Sequence, residues 1–445
     1  MPNGHREGSL EAPTRHPLDW QSEAFYDESA LYAELERVFE ICHGCRRCFS
    51  LCNAFPTLFD AIDGSETMEL DGVPREVYWE VVDHCYLCDM CYMSKCPYVP
   101  PHEWNVDFPH LMLRAKAKRF REQGASPAAR LLSNTDLVGR LAGIPVVAEA
   151  VNALNASAPG RALLEATLGV ARDAPVPRYH GRHARHRLAN RPNRSEGESL
   201  PANGTRGRVL LFTTCYGNYN RPEICSDLAA VFEHNGIELA LAESERCCGM
   251  PKLELGDLES VARAKEANVP ELARWVEQGW DIVAPVPSCT LMFKQELPLM
   301  FPEDEQVRQV AAAFFDPFEY LLLRHRAGLL RTDFAQALGK IAYQVPCHLR
   351  VQNIGLKTRD LLALVPGTEI EVIERCSGHD GTYGVKKKFR AASLKIAAPV
   401  IARVANSGAE HFISDCPMAA DQIAGGVDGM RPEHPISLLR QAYGI

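Results

Sequence analysis

The chain has 445 residues, 46% of them hydrophobic, and a formal net charge of −9. That length suggests two or three domains with ordinary globular cores, and the acidic balance excludes a general nucleic-acid binder. The 16 cysteines follow a polar segment, residues 1–20, that lacks the apolar core of a signal peptide. The expectation is a reducing, cytoplasmic setting in which cysteines bind metals and do not form disulfides.

Residues 1–24 read as a flexible start and 25–125 as a helical domain. Helical periodicity over 25–40 leads into Cys42-x2-Cys45-x2-Cys48-x3-Cys52. A second run, Cys85-x2-Cys88-x2-Cys91-x4-Cys96, ends on Pro97. Three thiolates two residues apart wrap one face of a four-iron cubane, and the fourth cysteine of each run completes the other cluster. Cys42, Cys45, Cys48 and Cys96 are therefore assigned to one 4Fe–4S cluster, and Cys85, Cys88, Cys91 and Cys52 to a second. Zinc prefers two separated C-x2-C knuckles, and a tripled run given twice serves it poorly. The 32 residues between Cys52 and Cys85 include the helix-prone EVYWEVVDH. They predict a mostly helical ferredoxin domain, not the compact β-rich kind. A further helix is predicted at about 103–122, basic at its end, where the helix dipole is negative.

Residues 126–173 continue as helices broken at Pro145 and Pro159. They are apolar on more than one face, which suits a packed helical subdomain or an amphipathic surface for a membrane or partner subunit. Charges at Asp136, Arg140, Glu149, Arg161 and Glu165 keep the stretch short of a membrane span. Residues 174–206 read as a basic linker, since 177–194 hold six arginines, three histidines and no acid. A solvated linker is expected. Contact with anionic lipid or an acidic partner, and metal binding by His180, His183 and His186, are alternatives.

The remainder is an internal duplication, 207–325 and 326–445. The first copy runs VLLFTTC to Cys215, strand IELALAE, ERCCG with Cys247 and Cys248, a helix at 257–278, then IVAPVPSC with Cys289. The second runs IAYQVPC to Cys347, strand EIEVIE, ERCSG with Cys376, a helix at 388–407, then HFISDCP with Cys416. The cysteine spacings agree, at 32 then 42 residues against 29 then 40. Alternating strands and helices predict a small parallel sheet in each copy, with the cysteines just beyond strand ends, where such sheets carry their sites. Cys225 falls outside the repeated pattern and reads as a buried thiol.

Both cysteine runs, CPYVPPHEWNVDFPHLMLRAKA, ERCCG, CSGHDGTYGVKKKF, SDCP and HPISLLRQAYG together resemble a known family. It comprises the iron–sulfur C subunits of anaerobic glycerol-3-phosphate dehydrogenase and, more broadly, the cysteine-rich CCG proteins. These include heterodisulfide reductase subunits and lactate-utilisation iron–sulfur proteins, with a bacterial branch encoded beside rubrerythrin. The resemblance implies a helical two-cluster ferredoxin domain followed by a duplicated α/β CCG domain. In heterodisulfide reductase a complete motif supplies five cysteines to a non-cubane cluster that cleaves a disulfide. Here Met292, Ser377 and Ala419 stand where that pattern has cysteine. Cys215, Cys247, Cys248 and Cys289 could hold a further Fe–S cluster. Cys347, Cys376 and Cys416 could do so only with an open iron corner or another ligand, for which His348 and His379 are candidates, although both histidines read first as supporting the fold or hydrogen-bonding a cluster sulfur. Asp380, beside His379, could orient that imidazole or relay protons.

The leading function is electron transfer between a partner oxidoreductase, such as a flavoprotein dehydrogenase, and an acceptor such as quinone, a membrane subunit or rubrerythrin. No G-x-G-x-x-G follows a strand, so dehydrogenation of a substrate needs a partner. The alternatives are a disulfide reductase acting at a CCG cluster, which an apolar pocket beside Cys347, Cys376 and Cys416 would favour, and a non-enzymatic redox sensor.

Overall fold

The computed structural model describes residues 13–189, 200–379 and 381–445. The described part of 13–125 contains helices and no strand. The Glu28–Cys45 helix starts at Asp27, whose side chain accepts from the Ala30 N–H, and buries Leu31, Leu35, Val38 and Phe39 on one stripe. It stops at Arg46, in the left-handed region at φ 52°, so the chain reverses between Cys45 and Cys48. Leu87 and Asp89 do the same between Cys85, Cys88 and Cys91, at φ 55° and 59°. Three non-glycine residues in this sparsely populated region bend the two cysteine runs. The Ala54–Asp63 and Arg75–His84 helices fill the spacer, and Phe108–Gln123 follows the second run.

Residues 13–22, expected as part of a flexible start, are held down instead. The Arg15 guanidinium, 11% exposed, pairs with Asp89, Asp107 and Glu296. Trp20 is buried and its ring N–H donates to the Met300 carbonyl at 2.9 Å. Such a buried cation needs its acids, and the sequence alone does not connect residues so far apart. Residues 1–12 lie outside the described part.

Between 126 and 170 four helices follow, Pro127–Leu132, Thr135–Ala142, Pro145–Ala156 and Ala158–Leu168. Pro145 and Pro159 fall in the first turn of their helices, where a missing N–H costs nothing. The helices expose Leu137, Leu141, Ile144, Val146, Val147, Leu154 and Leu163. No single described helix is long and apolar enough to cross a membrane, and the Thr135–Ala142 and Pro145–Ala156 pair bends by 106°. The first part of the expected linker is not free chain. The Ala184–Ala189 helix buries Ala184 and Leu188, and His183 is held through the Gly143 carbonyl at 2.9 Å. Residues 190–199 of that stretch lie outside the described part.

The duplicated half forms two four-stranded sheets. The first has β1 Arg208–Leu211, β2 Glu238–Leu241, β3 Asp281–Val283 and β4 Phe314–Phe315 in the order β2-β1-β3-β4. The second has β5 Gly339–Gln344, β6 Thr368–Ile373, β7 His411–Ser414 and β8 Pro432–Glu433 in the order β6-β5-β7-β8. All pairings are parallel. The central strands bury apolar runs at 209–211, 282–283, 341–343 and 412–413, as a sheet covered on both faces requires. The short fourth strands β4 and β8 carry too little pattern to be read from sequence. One apolar core runs from Leu31 and Phe39 of the N-terminal helices to Phe212, Met292 and Phe314 of the first sheet, and a second joins the two sheets.

Arg15→Met should cost about 3–5 kcal/mol, because the buried Asp89 and Glu296 and the partly exposed Asp107 lose their cation. Anaerobic chemical denaturation measures this, and a loss under about 1 kcal/mol would show that the strap carries no such charge coupling.

Candidate metal centres

The cysteines gather into four sets, half-buried throughout in the Cys42 and Cys347 sets and with two fully buried members in each of the others. Cys42, Cys45, Cys48 and Cys96 lie within electrostatic reach of one another. Cys52, Cys85, Cys88 and Cys91 do likewise. The fold thus brings the last cysteine of each run to the other run. Burial, reinforced by the neighbouring thiols, pushes Cys42 well up and Cys48 up to about 12. Burial also pushes Cys85 up to about 12, against the opposing pull of Lys116. The Lys116 ammonium is itself buried and donates to the Cys85 carbonyl. The two sets adjoin where Cys91 feels Cys48.

In the first sheet domain hydrogen bonds join Cys215 to Cys247, Cys247 to Cys248, and Cys248 to Cys289. Hydrogen bonds from Cys215 and Cys248 hold Cys247 well below the usual thiol range, while those two thiols are raised. Gly249, φ +102°, lets the chain turn directly after the cysteine pair. Glu245 ties this loop to the β1 end, accepting from the Thr213 N–H at 2.9 Å and from its hydroxyl. Burial pushes Glu245 up to about 7. The Thr135 hydroxyl donates to the Cys247 sulfur at 3.4 Å, and Asp136 accepts from the Cys247 N–H. Met292 is fully buried in the core.

The second sheet domain brings together Cys347, Cys376 and Cys416 around a cavity of about 40 Å³, with His348, His379, Ser377 and Ala419 in its wall. Gly378, φ +67°, repeats the turn, and a Cβ there would meet the Ser393 carbonyl at 2.2 Å. Cys376 is lowered to about 6, chiefly by a hydrogen bond from Cys347 and further by Tyr86 and the Gly378 N–H. This set touches the N-terminal region, since Cys347 hydrogen-bonds Cys88 and the Tyr86 hydroxyl lies 3.3 Å from the Cys376 sulfur. Tyr86, Tyr383 and Phe389 stack behind that contact. It also touches the first sheet domain, through His348 Nδ1 and the Ser288 hydroxyl at 2.8 Å. The sets therefore run in the order Cys42 set, Cys52 set, Cys347 set, Cys215 set.

The donors fit polynuclear clusters better than single ions. Among the described residues no three His, Cys, Asp or Glu side chains converge as tightly as one metal ion requires. Four buried thiolates also repel one another, and only a cationic core permits all to ionise. His180, His183 and His186 form no such group among the described residues. Asp380 lies outside the described residues. Cys225 is fully buried and hydrogen-bonds the Thr213 carbonyl at 3.5 Å. Sequence reading missed Tyr86, Thr135, Asp136 and Lys116. Tyr86 stands within a cysteine run, but its partner is 290 residues away, and Thr135 and Asp136 carry no motif.

Residues 209–294 and 341–420 match the family model of the CCG cysteine-rich domain. Similar proteins include the C subunit of anaerobic glycerol-3-phosphate dehydrogenase of Escherichia coli (strain K12), 28% identical over 349 residues, 76% of this chain and 82% of that protein. Lactate utilization protein A of Bacillus cytotoxicus is 30% identical over 217 residues, 47% of this chain and 87% of that protein. The B subunit of fumarate reductase (CoM/CoB) of Methanothermobacter marburgensis is 25% identical over 247 residues, 53% of this chain and 46% of that protein. Two copies of the domain, each presenting its cysteines at the ends of a parallel sheet, and this set of relatives agree: the chain belongs to the family of CCG cysteine-rich proteins that includes the C subunit of anaerobic glycerol-3-phosphate dehydrogenase.

Proposed function

We propose that the chain is an iron–sulfur electron-transfer subunit of an oxidoreductase complex. The observation that carries this reading is the continuous order of the four thiol sets, above all the contact of Cys88 with Cys347 and of Tyr86 with Cys376. It joins the two N-terminal sets to the duplicated half. Cys42, Cys45, Cys48 and Cys96 hold one 4Fe–4S cluster, and Cys52, Cys85, Cys88 and Cys91 hold another, in a helical ferredoxin domain. Cys215, Cys247, Cys248 and Cys289 hold a third cluster. Cys347, Cys376 and Cys416 complete a fourth only with an open corner or a further ligand.

A bound cluster takes up and returns single electrons. The protein's part is to exclude water and fix potentials. Hydrogen bonds to sulfur from Tyr86, the Gly378 N–H and Thr135 stabilise the more negative, reduced state. Lys116, buried behind Cys85, acts in the same direction on the second cluster. Electrons enter from a partner that carries the substrate chemistry. The names of the relatives, subunits of dehydrogenase and reductase complexes among them, support that division of labour. Disulfide cleavage by the five-thiolate route finds no support, because Met292 and Ala419 are packed apolar residues.

Cys88→Ser should remove one cluster signal and stop electron flow from donor to acceptor, as followed by anaerobic stopped-flow absorbance. Turnover that survived would break the relay. Cys248→Ser should alter only the signal of the third cluster in electron paramagnetic resonance. Lys116→Met should lower the midpoint potential of the second cluster by on the order of tens of millivolts, leaving the others in place. An unshifted potential in redox titration would remove Lys116 from the account.

A further inference from the structure

An electron relay meets its partners at its ends, and the two ends of this one differ. The Cys215 set faces a cavity of about 410 Å³ beneath the helices of 127–168, whose described wall has no Lys or Arg. The Cys42 set lies nearer the surface. All four of its thiols are half-buried, and Gly44, Arg47, Phe49 and Ser50 are exposed along the same run. A Cβ at Gly44 would meet nothing within 4 Å, so the chain beside Cys45 is open to approach.

Two features set this surface apart. The first is aromatic. Among the described residues only two aromatic rings are exposed, Phe49 at 54% and Trp104 at 42%, and both flank this set. Phe49 follows Cys48 and stacks on Phe59 at 6.5 Å. The Trp104 ring centroid lies 4.4 Å from that of Tyr98, whose backbone N–H donates to the Cys96 sulfur. Aromatic rings are enriched where proteins meet. The second feature is charge. The chain carries −9 overall, yet the charged side chains that pull against the burial of Cys48 are Lys95 and Arg47. Both are exposed. The neighbouring Arg46 is held by Asp63 at 2.6 Å.

We propose that this face is the docking site of the electron-supplying partner, and that the partner presents carboxylates around the exposed edge of a one-electron cofactor. The proposal rests on the electron-transfer reading and adds where the partner binds and what charge it carries there. Lys95 and Arg47 steer an acidic surface toward the set. Phe49 and Trp104 give the contact its apolar centre. A contact built on so few side chains suits a transient redox encounter, at the low end of interface sizes. In each encounter one electron leaves the partner's reduced cofactor and is taken up at the Cys42 set. No bond forms or breaks, and no proton is required.

The test uses flavodoxin, a small acidic flavoprotein, reduced to its hydroquinone and mixed with the anaerobically purified full chain in a stopped-flow spectrophotometer. The second-order rate should fall about tenfold between about 20 mM and about 200 mM salt. The double variant Arg47→Glu with Lys95→Glu should lose about tenfold at low salt and most of the salt dependence. Lys95→Glu alone should lose about threefold, and serves if the double variant assembles no first cluster. Phe49→Ser should lose about threefold at both salt concentrations. Arg403→Glu, exposed in the second sheet domain, should leave the rate unchanged. Full reduction of each variant by dithionite, read by electron paramagnetic resonance, shows its clusters intact. No transfer from flavodoxin, a rate indifferent to salt and to Lys95→Glu, or an equal loss in Arg403→Glu would overturn the proposal. So would sedimentation showing self-association of the chain that Lys95→Glu abolishes, since the face would then belong to a second copy. Clusters that accept no electrons even from dithionite would refute the electron-transfer reading itself, and this proposal with it.

Discussion

Buried thiolates repel one another, and that repulsion is the constraint on which this molecule is built. Fifteen cysteines lie in four sets, each lined by apolar side chains or shielded by helices. Burial, reinforced by the neighbouring thiols, drives them toward the neutral form, as it does at Cys42, Cys52 and Cys91. One thiolate per set can be supported by its neighbours, as at Cys247 and Cys376. Ionising a whole set takes a cationic core.

The surrounding architecture serves to hold those sets in line. Left-handed backbone at Arg46, Leu87 and Asp89 bends the cysteine runs, and Arg15 clamps Asp89 from an otherwise separate segment. Gly249 and Gly378 make the equivalent turns in the two sheet domains. The shared apolar core fixes the N-terminal helices against the first sheet, and the Tyr86–Tyr383–Phe389 stack fixes them against the second. A relay gains from such rigidity, because its elements must keep their spacing while charge passes.

Much of this was readable from residue order. The crossed grouping of Cys96 and Cys52 follows from the spacing of the runs, and the structure groups the thiols accordingly. Six of the eight strands coincide with apolar runs that end near a cysteine, and ERCCG and ERCSG mark equivalent turns. Contacts between distant segments were not readable. Nothing in the sequence pairs Arg15 with Glu296, Thr135 with Cys247, or Tyr86 with Cys376, because each pairing arises from packing of separate units. The large cavity was likewise hidden. An apolar pocket beside Cys347, Cys376 and Cys416 would have favoured a disulfide reductase, whereas the larger apolar space lies against the first set of CCG cysteines. The helices of 127–168 create it, and their apolar residues carry no sign of which face points inward.

The most direct test of the wire is a count of iron and acid-labile sulfide in anaerobically purified protein, joined to electron paramagnetic resonance during stepwise reduction. The account predicts about twelve irons and a near-equal number of sulfides, three clusters of four, with magnetic coupling between the two clusters that adjoin at Cys48 and Cys91. Zinc without sulfide, or about eight irons with no signal assignable to the Cys215 set, would contradict it.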